Sequence, residues 1–531
     1  MCGIFFYTGP VRPTSELYAL FMKIKHRGPD NSQFHVMLTE NGSRMVVLGF
    51  HRLSINGIAP YDEQPFIKDK LYTMCNGEIW NHADLELANT DTNININTTS
   101  DCACLLPGYA KYGMKALCQS IDGVFGLLVY DEINNSVNVA RDPVGIRSLY
   151  WNQDHDSLFI ASELKAFPSA LTTVTAFPPG HYATATLGSP LEFECYIQKP
   201  LISYNPNTPD STMTELHDTL TKAVEKRLMS GRPVGCILSG GLDSTLVTAI
   251  VCKLQRERGI TDKMRTYTIG LEGGEDLKWA RLASEYLGTE HHEFVVSETD
   301  FLDAIPTVIK SIESYDVTTV RASTGNWLVA KKIAELKKDV VLFCGDVADE
   351  LLGGYRGFGL AKTASDFEAA NVKMMSDVHR FDVLRSEKSF TAHGLEGRVP
   401  FADKDVLRCV AQFPSAVKMW SDNQRIEKQL LRETFEGYLP KELLWRRKEA
   451  FSDGVSSTHR SWYSIIQSYL EKIHPHETDS IREHMPPYDI ESSYYRHEFE
   501  HHYASVKCIP YFWKHPFTTE IDPSARKLVN Y

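Results

Sequence analysis

The chain has 531 residues, enough for two or more domains, and its 43% hydrophobic and 23% charged content allows a full core. A net charge of −12, from 56 basic and 68 acidic residues with no block of like charge, argues against a nucleic-acid-binding surface. Eleven scattered cysteines point to free thiols in a reducing compartment. The opening residues lack a basic stretch followed by an apolar one, and no apolar run reaches the roughly 18 residues of a membrane span. The expectation is a cytoplasmic enzyme with no nucleic-acid and no membrane partner. Cys102 and Cys104 have no second pair at zinc-finger spacing and are assigned no metal.

The chain opens Met1-Cys2-Gly3-Ile4-Phe5-Phe6-Tyr7. Removal of Met1 would give Cys2 both a thiol and a free α-amine. Such an amine, with a pKa of about 7.7–8.0, can take the thiol proton. A buried amino-terminal cysteine is the plain alternative on position alone. Further on come His26-Arg27-Gly28-Pro29-Asp30, His51-Arg52-Leu53-Ser54-Ile55-Asn56, Asn76-Gly77-Glu78-Ile79-Trp80-Asn81, Ser100-Asp101 and Asp122-Gly123-Val124-Phe125-Gly126. Between them, residues 91–99 are rich in Asn and Thr and read as a solvated loop, either a flap leading into Asp101 or a plain insertion. Residues 127–130 and 137–140 alternate around a turn at Asn134-Asn135, as strands of a hairpin do.

With Cys2, these motifs resemble the class II, N-terminal-nucleophile glutamine amidotransferases. The likeness continues through Arg141-Asp142-Pro143-Val144-Gly145-Ile146, Ala161-Ser162-Glu163-Leu164-Lys165-Ala166 and Phe177-Pro178-Pro179-Gly180-His181-Tyr182. It implies an αββα Ntn-hydrolase sandwich over residues 2–200. It also implies Cys2 as nucleophile on the glutamine amide, with Asn76 and the Gly77 backbone as oxyanion hole. Arg52 and Asp101 would grip the α-carboxylate and α-amine, Glu78 would help at the amine end, and Leu53, Ser54, Ile55 and Asn56 would line the glutamine site.

Residues 198–211, with Pro200, Pro206 and Pro209, read as the linker. Met213, Leu216, Leu220 and Val224 then repeat at helical spacing. The strand-like run 234–238 leads into Ser239-Gly240-Gly241-Leu242-Asp243-Ser244, and the apolar run 245–251 starts a helix. A strand turning through two glycines into a helix points free N–H groups along the positive end of the helix dipole, which suits an anion. Asp243 would repel phosphate unless a cation lay between them, so it reads as a Mg²⁺ ligand. A glycine turn joining strand to helix is the bland alternative. The hexapeptide resembles the pyrophosphate loop of ATP pyrophosphatases and lacks Walker A spacing.

Beyond it, strands at 265–269, 292–296 and 340–343 alternate with helices at 276–287, 301–312 (with Pro306 a candidate kink) and 326–336. This pattern argues for a parallel sheet covered on both faces, with ligands beyond the carboxyl ends of its strands. The loop Cys344-Gly345-Asp346-Val347-Ala348-Asp349-Glu350 follows such an end, and Asp349 reads as a second Mg²⁺ ligand, the plain alternative being acidic residues that favour a helix N-terminus.

The string Glu313-Ser314-Tyr315-Asp316-Val317-Thr318-Thr319-Val320-Arg321-Ala322-Ser323-Thr324 resembles the aspartate-handling segment of glutamine-hydrolysing asparagine synthetases. The likeness extends to Gly394-Leu395-Glu396-Gly397-Arg398-Val399-Pro400-Phe401, Lys448-Glu449-Ala450-Phe451-Ser452-Asp453-Gly454-Val455 and Asp522-Pro523-Ser524. It implies a parallel-sheet α/β synthetase domain over residues 212–531. Aspartate would attack the α-phosphate of ATP, and ammonia from Cys2 would travel inside the protein to β-aspartyl-AMP. Arg321 and Asp346 would be catalytic, with Thr318, Arg398 and Lys448 binding substrate. Leu238, Ser239, Gly240, Gly241, Asp243, Ser244, Ile269, Cys344 and Gly345 would hold ATP, with Mg²⁺ on Asp243 and Asp349.

The family usually has Ser, Glu, Trp and Ala where this chain has Cys344, Asp346, His393 and Gly397. Two rival readings therefore stay open: a related ligase amidating another carboxylate, and a non-catalytic regulatory descendant. The small-molecule partners implied are glutamine, aspartate and ATP, and a homodimer is one allowed assembly.

Overall fold

The computed structural model describes residues 1–39, 42–59, 61–88, 98–197, 200–421, 425–447, 454–456, 460–473 and 483–518. The Asn/Thr-rich residues 91–97, Lys448 and Asp522-Pro523-Ser524 lie outside the described residues.

The amino-terminal part holds two antiparallel six-stranded sheets. One runs, in spatial order, Thr175–Ala176, Tyr150–Gln153, Leu158–Ala161, Gly3–Gly9, Met45–Arg52 and Asn31–Leu38. The other runs Glu192–Cys195, His181–Thr186, Ser136–Arg141, Gly123–Asp131, Leu71–Ile79 and Phe66–Lys68. Residue alternation builds the layers. Ile4 and Phe6 join Leu128, Tyr130, Val137 and Val139 between the sheets. Phe5 and Tyr7 face the other way, in one cluster with Leu17, Leu20 and Phe21 of helix Thr14–Met22. Cys75, Leu127 and Val129 pack with Leu117 and Cys118 of helix Leu105–Ser120. The result is a helix–sheet–sheet–helix sandwich.

The carboxy-terminal part is built on one parallel five-stranded sheet, in spatial order Glu290–Val296, Arg265–Leu271, Val234–Ile237, Val341–Phe343 and Glu396–Arg398. The spatial order reverses beside Val234–Ile237. Its junction with Val341–Phe343 is the topological switch point where ligands bind in such sheets. Helix Leu242–Glu257 follows the central strand directly.

Three elements differ from the sequence reading. The helix expected at 326–336 spans Val317–Leu336, capped by Asp316 Oδ2 accepting from Thr319 N at 2.9 Å. Val317, Thr318, Thr319 and Val320 are poor helix formers, but Val317, Thr319 and Val320 are buried, and tertiary packing overrides propensity there. The strand Glu396–Arg398 carries no sequence signal of its own, because two of its three residues are charged. Helix Glu298–Ile312 starts three residues before the expected 301 and runs through Pro306.

The halves meet through buried charge. Arg27 Nη1 donates to Glu163 Oε1 at 2.7 Å, and its Nη2 donates to Glu387 of helix Asp382–Thr391. Glu313 accepts from the backbone N–H groups of Leu164 and Lys165 at 2.8 and 2.9 Å, and from Lys388.

Candidate active sites

The first site lies where strand Leu71–Ile79 passes the start of strand Gly3–Gly9. Cys2, Arg52, Leu53, Ile55, Asn56, Asn76, Gly77, Glu78 and Asp101 line one cavity. Ser54 does not; its N–H is spent on Asp30 Oδ2 at 2.8 Å. The Cys2 N–H donates to Asn76 Oδ1 at 2.8 Å, which aims the amide plane. Asn76 Nδ2 is then buried with no hydrogen-bond partner, and so is Arg52 Nη2. Buried donors left open at a cavity cost stability and suggest an absent acceptor. Gly77 must be glycine, because a Cβ there would sit 2.1 Å from the Val124 carbonyl oxygen.

The cavity is acidic. Burial, then the charges of Glu396 and Asp101, push Glu78 well above the usual carboxylate range. Burial lifts Asp101 to about 6, although its Oδ2 accepts from Ile79 N at 2.7 Å. Burial also raises the Cys2 thiol. With Met1 attached, the Cys2 nitrogen is an amide and cannot serve as the expected amine base. Met1 is itself buried in the cavity and leaves about 20 Å³ there. The sequence reading assigned no role to Arg27, whose Nε holds the Cys2 carbonyl oxygen at 2.9 Å. Its motif was noticed, but only the fold shows what it touches.

The second site is a cleft at the switch point, lined by Ser239, Gly241, Asp243, Ser244, Asp276, Thr318, Cys344, Gly345, Asp346, Asp349, Asp382 and Arg385 among others. Ser239 and Ser244 hydroxyls lie 3.0 Å apart, and Ser239 Oγ accepts from Gly241 N at 3.3 Å, so the loop is preformed. Gly240 has φ 72 and packs on Trp279, whose carbonyl carbon would lie 2.4 Å from a Cβ. Leu238 and Ile269 are buried in the core and do not line the cleft; Ile237 does.

Asp243 and Asp349 converge on the Lys428 ammonium, at 2.6–2.7 Å and 2.6 Å. Lys428 has no motif signal, since its partners are 185 and 79 residues away. Among the described residues no group of three or more His, Cys, Asp or Glu side chains is arranged to hold a metal ion. Burial and the Asp382 charge raise Asp346, against Arg385 at 3.1 Å. Burial, with Asp382 and Asp349, pushes Glu350 well above the carboxylate range.

Two residues expected at the synthetase site, Arg321 as catalytic and Arg398 as substrate-binding, do not line the cleft. Arg321 makes a bidentate pair with Glu491, at 2.7 and 2.6 Å, and is absent from the cleft lining. On its helix, Thr318, Thr319 and Ala322 share the cleft face, and Arg321 points to one side of it. Arg398 is also absent from that lining. It donates to Glu396 Oε1 at 2.9 Å and to the Met229 carbonyl at 2.6 Å, and lies 3.5 Å from Glu78 of the first site.

A family model for a glutamine amidotransferase domain matches residues 1–186, and a model for asparagine synthase matches 215–373 and 359–497. The chain is 35% identical to the glutamine-hydrolysing asparagine synthetases of Gallus gallus and Rattus norvegicus and 34% identical to that of Homo sapiens. Each alignment covers 100% of this chain and 99% of the relative. Among solved structures, the allosteric regulatory enzyme of purine biosynthesis matches at TM-score 0.33 and 17% identity, over 55% of this chain and 80% of that one.

Proposed function

The chain belongs to the glutamine-hydrolysing asparagine synthetase family, and from that premise we propose that it converts ATP, aspartate, glutamine and water to AMP, pyrophosphate, asparagine and glutamate. Residues 2–200 act as the glutaminase and 212–531 as the synthetase, in the cytoplasm. The absence of a disulfide among the described residues supports that compartment.

The observation that carries the reading is the pair of open donors beside Cys2. Asn76 Nδ2 and Arg52 Nη2 are buried and unpaired in the cavity that Cys2 lines. Loss of Met1 empties part of this cavity and leaves the Cys2 nitrogen as an amine able to take the thiol proton. Asn76 Nδ2 and the Gly77 N–H then meet the oxyanion, and one such donor is worth roughly 3–4 kcal/mol of barrier. Arg52 takes the α-carboxylate. The α-ammonium settles among Glu78 and Asp101, whose crowding calls for a cation.

In the cleft, the loop from Ser239 to Ser244 receives the phosphates, and the aspartate carboxylate approaches beside Thr318 and Asp346. The residues fit Mg²⁺, since hard carboxylate oxygens of Asp243 and Asp349 already gather on one cation, Lys428. Bound there, the metal would offset the triphosphate charge. Lys428 supplies that compensation in its absence.

The test is Cys2→Ala. Glutamate release should disappear while asparagine synthesis from ammonia and ATP continues. Loss of both activities in a folded variant contradicts two separate sites.

A further inference from the structure

A further cavity, of about 350 Å³, opens on the seam between the halves, away from both sites. That is the size of a small-molecule pocket. Its floor is apolar, with Phe167, Leu171 and Val174 from the amino-terminal half. Its charged lining is all basic: Lys23, Lys165, Lys310 and His502, with no Asp or Glu. This stands out in a chain of net charge −12.

The walls are pinned. Ser505 Oγ donates to the Leu171 carbonyl at 2.5 Å, and Tyr503 Oη to the Lys310 carbonyl at 2.6 Å. Lys23 and Lys310 have no carboxylate partner among the described residues. Burial lowers Lys23, and burial followed by the Lys310 charge lowers His502. Behind it, Glu163 and Glu313 pair with the lining Lys165. Lys165 Nζ lies 2.7 Å from Glu163 and 3.4 Å from Glu313, and Glu163 also holds Arg27, which holds the Cys2 carbonyl at 2.9 Å.

We propose that this seam cavity binds a small organic anion with an apolar or aromatic frame, and that its occupancy slows glutamine hydrolysis at Cys2. The second clause rests on the function proposed above; the first does not. The anion pairs with Lys23 and Lys310 and lays its frame on Phe167, Leu171 and Val174. It also competes with Glu163 for Lys165. Arg27 is held by Glu163 and Glu387 together, so drawing Lys165 off Glu163 changes the charge balance on Arg27 and shifts the Cys2 carbonyl that it holds.

Calorimetry on the full chain tests this with phthalate, phenyl phosphate and neutral phthalamide. Phthalate or phenyl phosphate should bind, the one that does identifying carboxylate or phosphate as the group read, and phthalamide should not. The double variant Lys23→Ala/Lys310→Ala should bind at least about tenfold more weakly. No binding by either anion, or equal binding by the variant, overturns the site. Saturating anion should reduce glutamate release on the order of fivefold in the unmodified chain and not in the variant. An unchanged rate overturns the coupling. A chain that releases no glutamate even without anion refutes the proposed function instead, and the binding heats still decide the site.

Discussion

Val347 carries a β-branched side chain at φ 75, in the left-handed region, inside the cleft of the second site. Its N–H donates to Asp382 Oδ2 at 3.1 Å, which helps hold the turn. Such a backbone costs roughly 1–2 kcal/mol for a residue with a Cβ. Val347 is also buried in the core, and losing its isopropyl group, with the larger unfolded entropy of glycine, costs more than the strain relieved, so Val347→Gly should destabilise the protein by about 2 kcal/mol. A raised thermal midpoint would mean that strain outweighs packing at this turn. Asp101 offers a pH test. Burial raises it to about 6, above its unfolded value of about 3.9. The folded state thus keeps a proton that the unfolded chain has lost. The stability from that proton is full below about pH 4 and gone once pH passes about 6. Glutamine binding needs the opposite form, since its α-ammonium requires the carboxylate. We expect kcat/KM for glutamine to fall about tenfold per unit below about pH 6. A profile that stays flat down to about pH 5 excludes Asp101 from that role.

At the scale of elements, the second site depends on two loops in near contact. The turn after strand Val341–Phe343 lies so close to the start of helix Leu242–Glu257 that a Cβ on Gly345 would stand 2.6 Å from Ser244 N and 2.7 Å from the Asp243 carbonyl carbon. Gly345→Ala must push the phosphate loop away, and a shift of about 1 Å can cost roughly 100-fold. Aspartate-dependent ATP–pyrophosphate exchange should fall by that order, with glutamate release unchanged. Unaltered exchange would mean the loops are free to part. The strand-loop-helix order around Ser239 was legible because apolar runs and paired glycines are local signals. Strand Glu396–Arg398 was not, because its extended form comes from pairing with Val341–Phe343 rather than from its own residues.

For the whole molecule, buried ion pairs join the two halves. Arg398 ties Glu396 to Glu78, and Arg147 lies 3.2 Å from Glu396. Against burial, Arg147 and Arg398 hold Glu396 below the usual carboxylate range. Arg398→Met leaves Glu78 and Glu396 short of a counter-charge and should cost about 3–5 kcal/mol, seen as a lower urea midpoint. Normal stability with a raised KM for aspartate would support the substrate-binding role read from sequence. The sequence by itself determined two sheet systems of different kind and the order of the candidate residues along the chain. Those follow from alternation, glycine spacing and side-chain type, which act over a few residues. Only the tertiary structure decided which charges meet. Arg321 found Glu491 across 170 residues, and Lys428 came to lie between Asp243 and Asp349. A buried charge takes whichever counter-charge packing brings within about 4 Å, and no local pattern records that choice.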